Sequence, residues 1–296
     1  MNKPSFWIVF VSFIILTSSL TVPLHNFVSL AEGQQEQSPV TGSLKNVTDL
    51  MKSNHKNSSV QLENKTVNYF DNASGYLVYP IPSVENNTIA KNTFPAVIMI
   101  HENKGLNDNI KNMANLLAKE GYVILAVDLF NGEVTKDQKR ASELTQAIRD
   151  NPAIAIANLK SAVTYLGSLA NVNPDKIASL GWCFGGQQSL QLALNSKEDP
   201  LSATVIYYGR LVTEPETLLT IQWPVLGIFG DQDKSISVDS VKQFEEALNT
   251  NGIPNEIYIY EGVAHAFANP SGDNYAQEET QDAWEKTVSF LKKYLG

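Results

Sequence analysis

The spacing of apolar positions changes along the chain in a regular order. Short runs of continuous or alternating apolar residues predict strands, most of them buried on both faces. Between these runs, apolar residues recur every three or four positions, which predicts helices. The predicted strands are 60–70, 76–79, 95–101, 122–128, 176–181, 201–208, 224–230 and 256–260, and the predicted helices are 109–120, 136–149, 152–169, 187–194, 238–248 and 274–294.

This order of elements predicts an α/β fold. Beyond the first two strands, strands alternate with helices, and such connections produce a mostly parallel central sheet with helices on both faces. The first two strands are separated only by the turn residues 71–75. We therefore expect them to form an antiparallel hairpin at one edge of the sheet.

The chain begins with a segment of a different character. Lys3 precedes the apolar run 6–16, and the small residues Ser29 and Ala31 follow, so we predict a signal peptide over 1–31. If it is not cleaved, residues 6–24 are long enough to remain as a membrane anchor. The polar residues 32–59 predict a disordered linker. The folded domain is then 60–296, and the protein is expected outside the cytoplasm, where acceptor patterns at Asn46, Asn57, Asn64, Asn72 and Asn86 would allow glycosylation.

Composition and charge narrow the possible partners. The 296 residues are 43% hydrophobic and 18% charged, which is ordinary for a globular enzyme. The net charge of −9, a pI near 5.0 and the absence of a basic run in the sequence argue against a nucleic-acid partner. The single cysteine excludes an intrachain disulfide. We therefore expect a small-molecule substrate and not a nucleic acid.

That cysteine lies in a motif that carries chemistry. The sequence Gly-Trp-Cys-Phe-Gly-Gly at 181–186 stands between a predicted strand and a predicted helix. It matches the nucleophile elbow Gly-x-Ser-x-Gly with sulfur in place of the hydroxyl, a sharp turn that presents its central side chain above the sheet. The following helix N-terminus favours a thiolate at Cys183. The alternative is a free cysteine that packs as a small hydrophobic residue.

A cysteine nucleophile requires a base and a carboxylate that orients the base. Only two of the four histidines, His101 and His265, lie inside the predicted domain. His265 follows the last strand, where a hydrolase of this chain order places its base, although a surface loop histidine is the alternative. Asp231 and Asp233 follow an earlier strand and compete as the acid; we favour Asp233 and expect the other to cap the turn.

A second carboxylate follows the strand expected beside the elbow. Glu102 lies in His-Glu-Asn-Lys-Gly at 101–105. Within reach of the thiol it would keep the sulfur protonated, and thus protected from oxidation, until substrate displaces it. The alternative is a solvated loop glutamate. The backbone N–H of Phe184 and one from the loop at 101–105 are expected to form an oxyanion hole.

With these motifs in place, residues 60–295 resemble the dienelactone hydrolase family, cysteine-dependent enzymes with the α/β-hydrolase fold. The resemblance implies that Cys183 is the nucleophile, that His265 is the base and that Asp233 orients it. Glu102 would be the partner of the resting thiol. The matching segments, in family order, are 101–102, 122–129, 181–186, 207–209, 230–233 and 262–267.

The resemblance also covers substrate contacts. It implies oxyanion-hole amides at Asn103 and Phe184, and Arg140 loosely matches an arginine that binds the substrate carboxylate in the family. A second arginine of the family is replaced by Asn269. Because loss of a guanidinium removes a bidentate clamp, we expect the family chemistry without an anionic dienelactone as substrate.

The sequence therefore predicts an exported ester or lactone hydrolase that acts through an acyl-enzyme. It would bind a small-molecule ester or lactone, and would contact a membrane only through an uncleaved leader. No metal or organic cofactor is implied, because the sequence has neither a Cys/His cluster nor a dinucleotide-binding fingerprint. Two alternatives are an exported binding protein without turnover and a peptidase or acyl transferase on the same fold.

Overall fold

The computed structural model describes residues 60–81, 84–85, 88–89 and 93–296. The predicted leader, the predicted linker and three of the five glycosylation patterns lie wholly or partly outside them. The strands are β1 Leu62–Phe70, β2 Ala73–Pro80, β3 Val84–Glu85, β4 Thr88–Ile89, β5 Phe94–Ile100, β6 Val123–Val127, β7 Val172–Trp182, β8 Ala203–Tyr207, β9 Val225–Gly230 and β10 Asn255–Tyr260. The helices are α1 Asp108–Lys119, α2 Gln138–Asp150, α3 Pro152–Gly167, α4 Phe184–Leu194, α5 Pro215–Leu218, α6 Val238–Thr250 and α7 Gln277–Leu295.

The central sheet has eight strands in the order β1-β2-β6-β5-β7-β8-β9-β10. The strands from β6 to β10 in this order pair in parallel, whereas β1 pairs with β2, and β2 with β6, antiparallel. The predicted α/β fold with a mostly parallel sheet is confirmed. The edge hairpin is also as predicted, and β3 and β4 form a separate two-stranded sheet.

Helices cover both faces of the sheet because its central strands are apolar on both sides. On β5, Ile98 and Ile100 belong to the core under α3, α4 and α6, while Val97 and Met99 belong to the core under α1 and α7. These four side chains are fully buried. A strand that is buried on both faces reads as a continuous apolar run, which is the pattern seen in the sequence.

Helix ends agree with simple capping rules. Asn107 accepts a hydrogen bond from the Ile110 N–H at the start of α1, and Ser237 does the same for Ser240 at the start of α6. Pro152 occupies the first turn of α3, where its missing N–H costs nothing. Among the described residues, no helix combines the length and the apolar character needed to cross a bilayer.

The parallel arrangement sets the position of the site. The carboxyl ends of parallel strands meet at one edge of a sheet, and ligands bind there in open α/β folds. Cys183 directly follows β7 and Glu102 follows β5. Asp233 and His265 follow β9 and β10. All four candidate residues therefore lie at the same sheet edge.

Candidate active site

Cys183 is held in a strained backbone conformation between β7 and α4. Its φ of 55° and ψ of −115° lie in a region that residues with a side chain rarely adopt. The Cys183 N–H donates to the Tyr207 carbonyl at 3.0 Å, and the Cys183 carbonyl accepts from the Gln187 N–H at 3.1 Å. These bonds hold the turn, so that the side chain leaves the sheet at the start of a helix.

Two glycines of the motif are required by close contacts. A Cβ atom on Gly181 would lie 2.2 Å from the Gly185 carbonyl oxygen. A Cβ atom on Gly185 would lie 2.3 Å from the Ile100 carbonyl oxygen and 2.5 Å from that of His101. Any side chain at these positions would separate α4 from β7 and β5. The motif therefore brings the first turn of α4 against the segment that carries Glu102.

The sulfur of Cys183 begins a row of hydrogen-bonded side chains. His265 Nε2 lies 3.0 Å from Cys183 Sγ, and His265 Nδ1 lies 2.7 Å from Asp233 Oδ2. The other oxygen of Asp233 accepts from the N–H groups of Ser235 and Ile236. The three residues come from the ends of three different strands. Their order is thiol, imidazole and carboxylate, which is the order of side chains in thiol and serine hydrolases.

The electrostatics of this row favour a charged imidazole. Burial alone lowers the pKa of His265, but its hydrogen bonds with Asp233 and Cys183 outweigh burial and raise the pKa to about 10. Burial raises the pKa of Asp233, and the bonds from His265 and from two backbone N–H groups reverse this and lower it. At neutral pH, His265 is a cation between two groups that can carry negative charge.

The two candidate aspartates have different partners. Asp231 Oδ1 accepts from the Gly262 N–H at 2.7 Å and so holds the turn that follows β10. It does not contact the imidazole, whereas Asp233 does. The structure therefore places Asp233 in the row and gives Asp231 the turn-holding position expected for the other aspartate.

Glu102 is buried in the middle of the site. Its side chain accepts a hydrogen bond from the Asn269 amide at 2.6 Å. The Asn269 oxygen in turn accepts from the Ser271 N–H, which fixes the orientation of the amide. Burial raises the pKa of Glu102 to about 7, although Lys104, His265 and Asn269 act in the opposite direction. Glu102 is thus not a solvated loop residue, and in this structure it contacts Asn269 while Cys183 contacts His265.

The two residues predicted to provide oxyanion-hole amides lie on adjoining segments. Asn103 follows Glu102 in the loop after β5, and Phe184 is the first residue of α4. The contact of Gly185 with the Ile100 and His101 carbonyls joins these segments. Within the described part of the chain, neither backbone N–H donates to a protein acceptor. Both are therefore free to donate to a ligand.

Arg140 lies away from this row of contacts. Its guanidinium pairs with Glu133 and Glu143, and its side chain is 45% exposed. Burial and the charge of Arg210 lower the pKa of Arg149, while Cys183 acts in the opposite direction. Arg149 Nε donates to the Gln187 side chain at 3.2 Å, one turn beyond Cys183 in α4.

Sequence reasoning did not identify Arg149 and Arg210, because neither lies in a recognisable motif. Arg149 is in the last turn of α2, and Arg210 directly follows Gly209 after β8. The contact of Gly209 with the Gln187 backbone brings Arg210 to the same turn of α4. In the sequence, Asn269 is only a departure from the family pattern, which does not indicate that it binds Glu102.

Within the described ranges, no group of three His, Cys, Asp or Glu side chains is arranged to hold a metal ion.

A parallel sheet with an elbow after a central strand, followed in the chain by an acid and a histidine, defines an α/β-hydrolase. A crystal structure of a dienelactone hydrolase-like promiscuous phosphotriesterase from metagenomic libraries has the same fold, with a TM-score of 0.71. It is 23% identical and covers 79% of this chain and 99% of its own.

Sequence relatives identify the family. The model of the dienelactone hydrolase family matches residues 86–295. A Saccharolobus solfataricus protein named as a carboxymethylenebutenolidase is 29% identical over 67% of this chain and 89% of its own length. A Bradyrhizobium protein named as a probable 2-oxo-3-(5-oxofuran-2-ylidene)propanoate lactonase is 29% identical over 68% of this chain and 84% of its own. The chain belongs to the dienelactone hydrolase family, and its enzyme class is that of carboxylic ester and lactone hydrolases.

Proposed function

We propose that this protein hydrolyses small carboxylic esters or lactones with Cys183 as nucleophile and an acyl-enzyme as intermediate. The observation that supports this most strongly is the row from Cys183 through His265 to Asp233, with distances of 3.0 and 2.7 Å. A cationic imidazole next to the sulfur is the arrangement that stabilises a thiolate. The thiolate, and not the thiol, is the attacking species.

Acylation follows from these positions. The Cys183 sulfur forms a bond with the ester carbonyl carbon, and the negative charge moves to the carbonyl oxygen. The N–H groups of Asn103 and Phe184 donate to that oxygen. When the tetrahedral intermediate collapses, the bond to the alcohol oxygen breaks, and His265 donates its Nε2 proton to the leaving group. The product is a thioester and a neutral imidazole.

Deacylation uses the same groups in reverse. Neutral His265 accepts a proton from a water molecule while the water oxygen bonds with the thioester carbon. Collapse of the second tetrahedral intermediate breaks the carbon–sulfur bond and releases the acid. Cys183 is again a thiolate and His265 is again a cation. Asp233 stays ionised throughout and holds the ring with Nδ1 as donor.

Glu102 has a separate role in this proposal. When its side chain leaves Asn269 and bonds with the sulfur, the thiol is protonated and resistant to oxidation. On substrate binding, the Glu102 carboxylate takes the thiol proton and returns to Asn269 as a neutral carboxyl, which leaves Cys183 as the thiolate. A pKa of about 7 gives the carboxyl both protonation states near neutral pH, which this exchange requires. The protein is proposed to act outside the cytoplasm, with residues 1–31 as the export signal.

A time course with a short-chain p-nitrophenyl ester, together with intact mass measurement, tests the proposal. We expect a burst of nitrophenol and a mass increase of one acyl group, both absent in Cys183→Ala. Because the chain has a single cysteine, a hydroxylamine-sensitive adduct has only one thiol to occupy. A folded protein without adduct or turnover on a series of esters, lactones and amides would instead support a binding protein.

The same assay separates hydrolysis from the peptidase and acyl-transferase alternatives. Faster turnover of matched amides than of esters would favour a peptidase. Acyl transfer to an added alcohol in preference to water would favour a transferase. Export has its own measurement, the N-terminal sequence of the native protein, for which we expect the mature chain to begin near residue 32.

A further inference from the structure

His101 is a buried titratable residue that has no part in the row of Cys183, His265 and Asp233. Its side chain is completely shielded from solvent at the end of β5. Both ring nitrogens contact the backbone. Nδ1 lies 2.6 Å from the Glu102 carbonyl oxygen, and Nε2 lies 3.1 Å from the Leu129 nitrogen.

These two contacts determine the protonation of the ring. A backbone N–H can only donate, so Nε2 must accept from Leu129 and carries no proton. A carbonyl oxygen can only accept, so Nδ1 must carry the proton and donate to Glu102. Burial lowers the pKa of His101, in agreement with a neutral ring. His101 therefore exists as a single neutral tautomer.

The Leu129 contact is itself held in place. The Asp128 carboxylate accepts from the N–H groups of Phe130 and Gly132, which fixes the turn that contains Leu129. The Tyr69 hydroxyl accepts from the Asp128 N–H at 3.1 Å. His101 thus connects a rigid turn after β6 with the Glu102 carbonyl after β5.

The bond to Glu102 has a geometric consequence for the next residue. The Glu102 carbonyl and the Asn103 N–H belong to one planar trans peptide unit, in which they point in opposite directions. When His101 holds the carbonyl, it therefore also sets the direction of the Asn103 N–H. The His101 ring stacks on Phe184 with ring centroids 6.0 Å apart, and Phe130 packs on it at 4.6 Å.

We infer that His101 is a positioning residue that aligns the Asn103 amide of the proposed oxyanion hole. It fixes the peptide unit that presents the Asn103 N–H, while its contact with Phe184 is a packing contact between side chains. This inference rests on the proposed function, since it assigns a purpose to amides that the proposed reaction uses. His101 donates no proton to the substrate and touches no reacting atom.

The test uses two reagents that respond differently to an oxyanion hole. A trifluoromethyl ketone forms a tetrahedral adduct with the sulfur and needs both amides. Iodoacetamide alkylates the sulfur without forming an oxyanion. His101→Phe keeps a ring but removes both hydrogen bonds. We expect ketone affinity and kcat to fall about 10- to 100-fold, less than the full loss of an oxyanion donor, with KM and the alkylation rate changed by no more than about twofold.

Two further variants distinguish the role of Nδ1 from that of Nε2. His101→Asn places an amide N–H near the position of Nδ1, so it should restore much of the ketone affinity by donating to the Glu102 carbonyl. His101→Gln reaches the Nε2 position and should not restore it. Phe130→Leu is the matched control, because it changes the packing of the His101 ring and leaves both of its hydrogen bonds. We expect this control to behave as the wild type in both reactions.

Ketone affinity that is unchanged in the Phe and Asn variants would overturn the inference. Ketone affinity that falls in step with alkylation would also overturn it, because the change would then act on the sulfur and not on the amides. If the Phe variant does not fold, the comparison of Asn with Gln decides the question. A wild-type protein that hydrolyses no ester would refute the proposed function, and the ratio of ketone affinity to alkylation rate would still decide the role of His101.

Discussion

The two histidines of the domain occupy equivalent places, each in a loop at the carboxyl end of a strand, and yet their chemistry is opposite. His265 contacts the Asp233 carboxylate and the Cys183 sulfur, and its side chain is 28% exposed. His101 contacts two backbone groups and is fully buried. The pKa of His265 is raised to about 10, whereas the pKa of His101 is lowered.

The partners explain this difference better than burial does. Burial disfavours the cation in both rings, but His265 has direct hydrogen bonds with Asp233 and Cys183 that outweigh this cost. The Asp128 carboxylate lies 4.0 Å from His101 Nε2 and raises the pKa of His101 by less than burial lowers it. The ring that contacts side chains can take part in proton transfer. The ring that contacts the backbone can only hold the backbone in place. One loop therefore carries the proposed base, and the other carries the residue inferred to position the Asn103 amide.

The largest expected effect comes from removal of the charged ring. His265→Gln keeps a polar side chain but cannot transfer a proton to the leaving group, so we expect kcat/KM to fall about 10²- to 10⁴-fold. Steady-state ester hydrolysis measures this. Asn274→Ala is the matched control, since the Asn274 amide donates to the His265 carbonyl and not to its ring. A loss in His265→Gln no larger than that in the control would contradict the proposed role.

The fold could be predicted in detail because its signals are periodic. Strands with two buried faces and helices with one apolar face appear directly in the spacing of residues, and their boundaries were mostly placed within a few positions. β3, β4 and α5 were missed, because two-residue strands and a four-residue helix are shorter than any period. The sequence also placed the start of α4 at Gln187 instead of Phe184.

There is a physical reason why the sequence predicts the start of α4 after its observed position. Gly185 and Gly186 are poor helix formers, so local propensity argues against a helix there. Tertiary contact overrides that preference, because the glycines let the helix approach the ends of β5 and β7. Side chains with a chemical motif, such as Cys183, could be found from the sequence. The function inferred for His101 could not, because its partners are backbone atoms that no sequence pattern identifies.

Glu102 connects the two histidine loops and allows a second test of the comparison. Its pKa is raised from 4.5 to about 7, so the folded protein retains a proton that the unfolded chain loses. The stability contributed by this proton is fully present below pH 4.5 and is lost as the pH rises through 7. The loss amounts to at most about 3 kcal/mol.

Glu102→Gln removes this dependence and can still accept a hydrogen bond from Asn269. We expect a free energy of unfolding about 1 to 3 kcal/mol higher than that of the wild type above neutral pH, and little difference at acidic pH. Urea unfolding at both pH values measures it. Glu246→Gln, on the exposed side of α6, is the control for loss of a carboxylate at the surface. If the two variants behave alike, Glu102 is not the group that titrates.

The smallest effect should come from Arg149. Its charge lies outside the row of Cys183, His265 and Asp233, so it tests whether charges beyond the imidazole also stabilise the thiolate. Arg149 has no carboxylate partner among the described residues, and it interacts electrostatically with Cys183. Partly exposed charges that do not touch are screened at physiological salt. Arg149→Gln should therefore slow alkylation of Cys183 only about two- to fivefold, and less at high salt.

Arg140→Gln, which loses only exposed pairs with Glu133 and Glu143, should leave the rate unchanged. A loss in Arg149→Gln as large as that in His265→Gln would mean that the wider field, and not the contact at 3.0 Å, stabilises the thiolate. The contrast between the two histidines would then no longer be sufficient to explain the site.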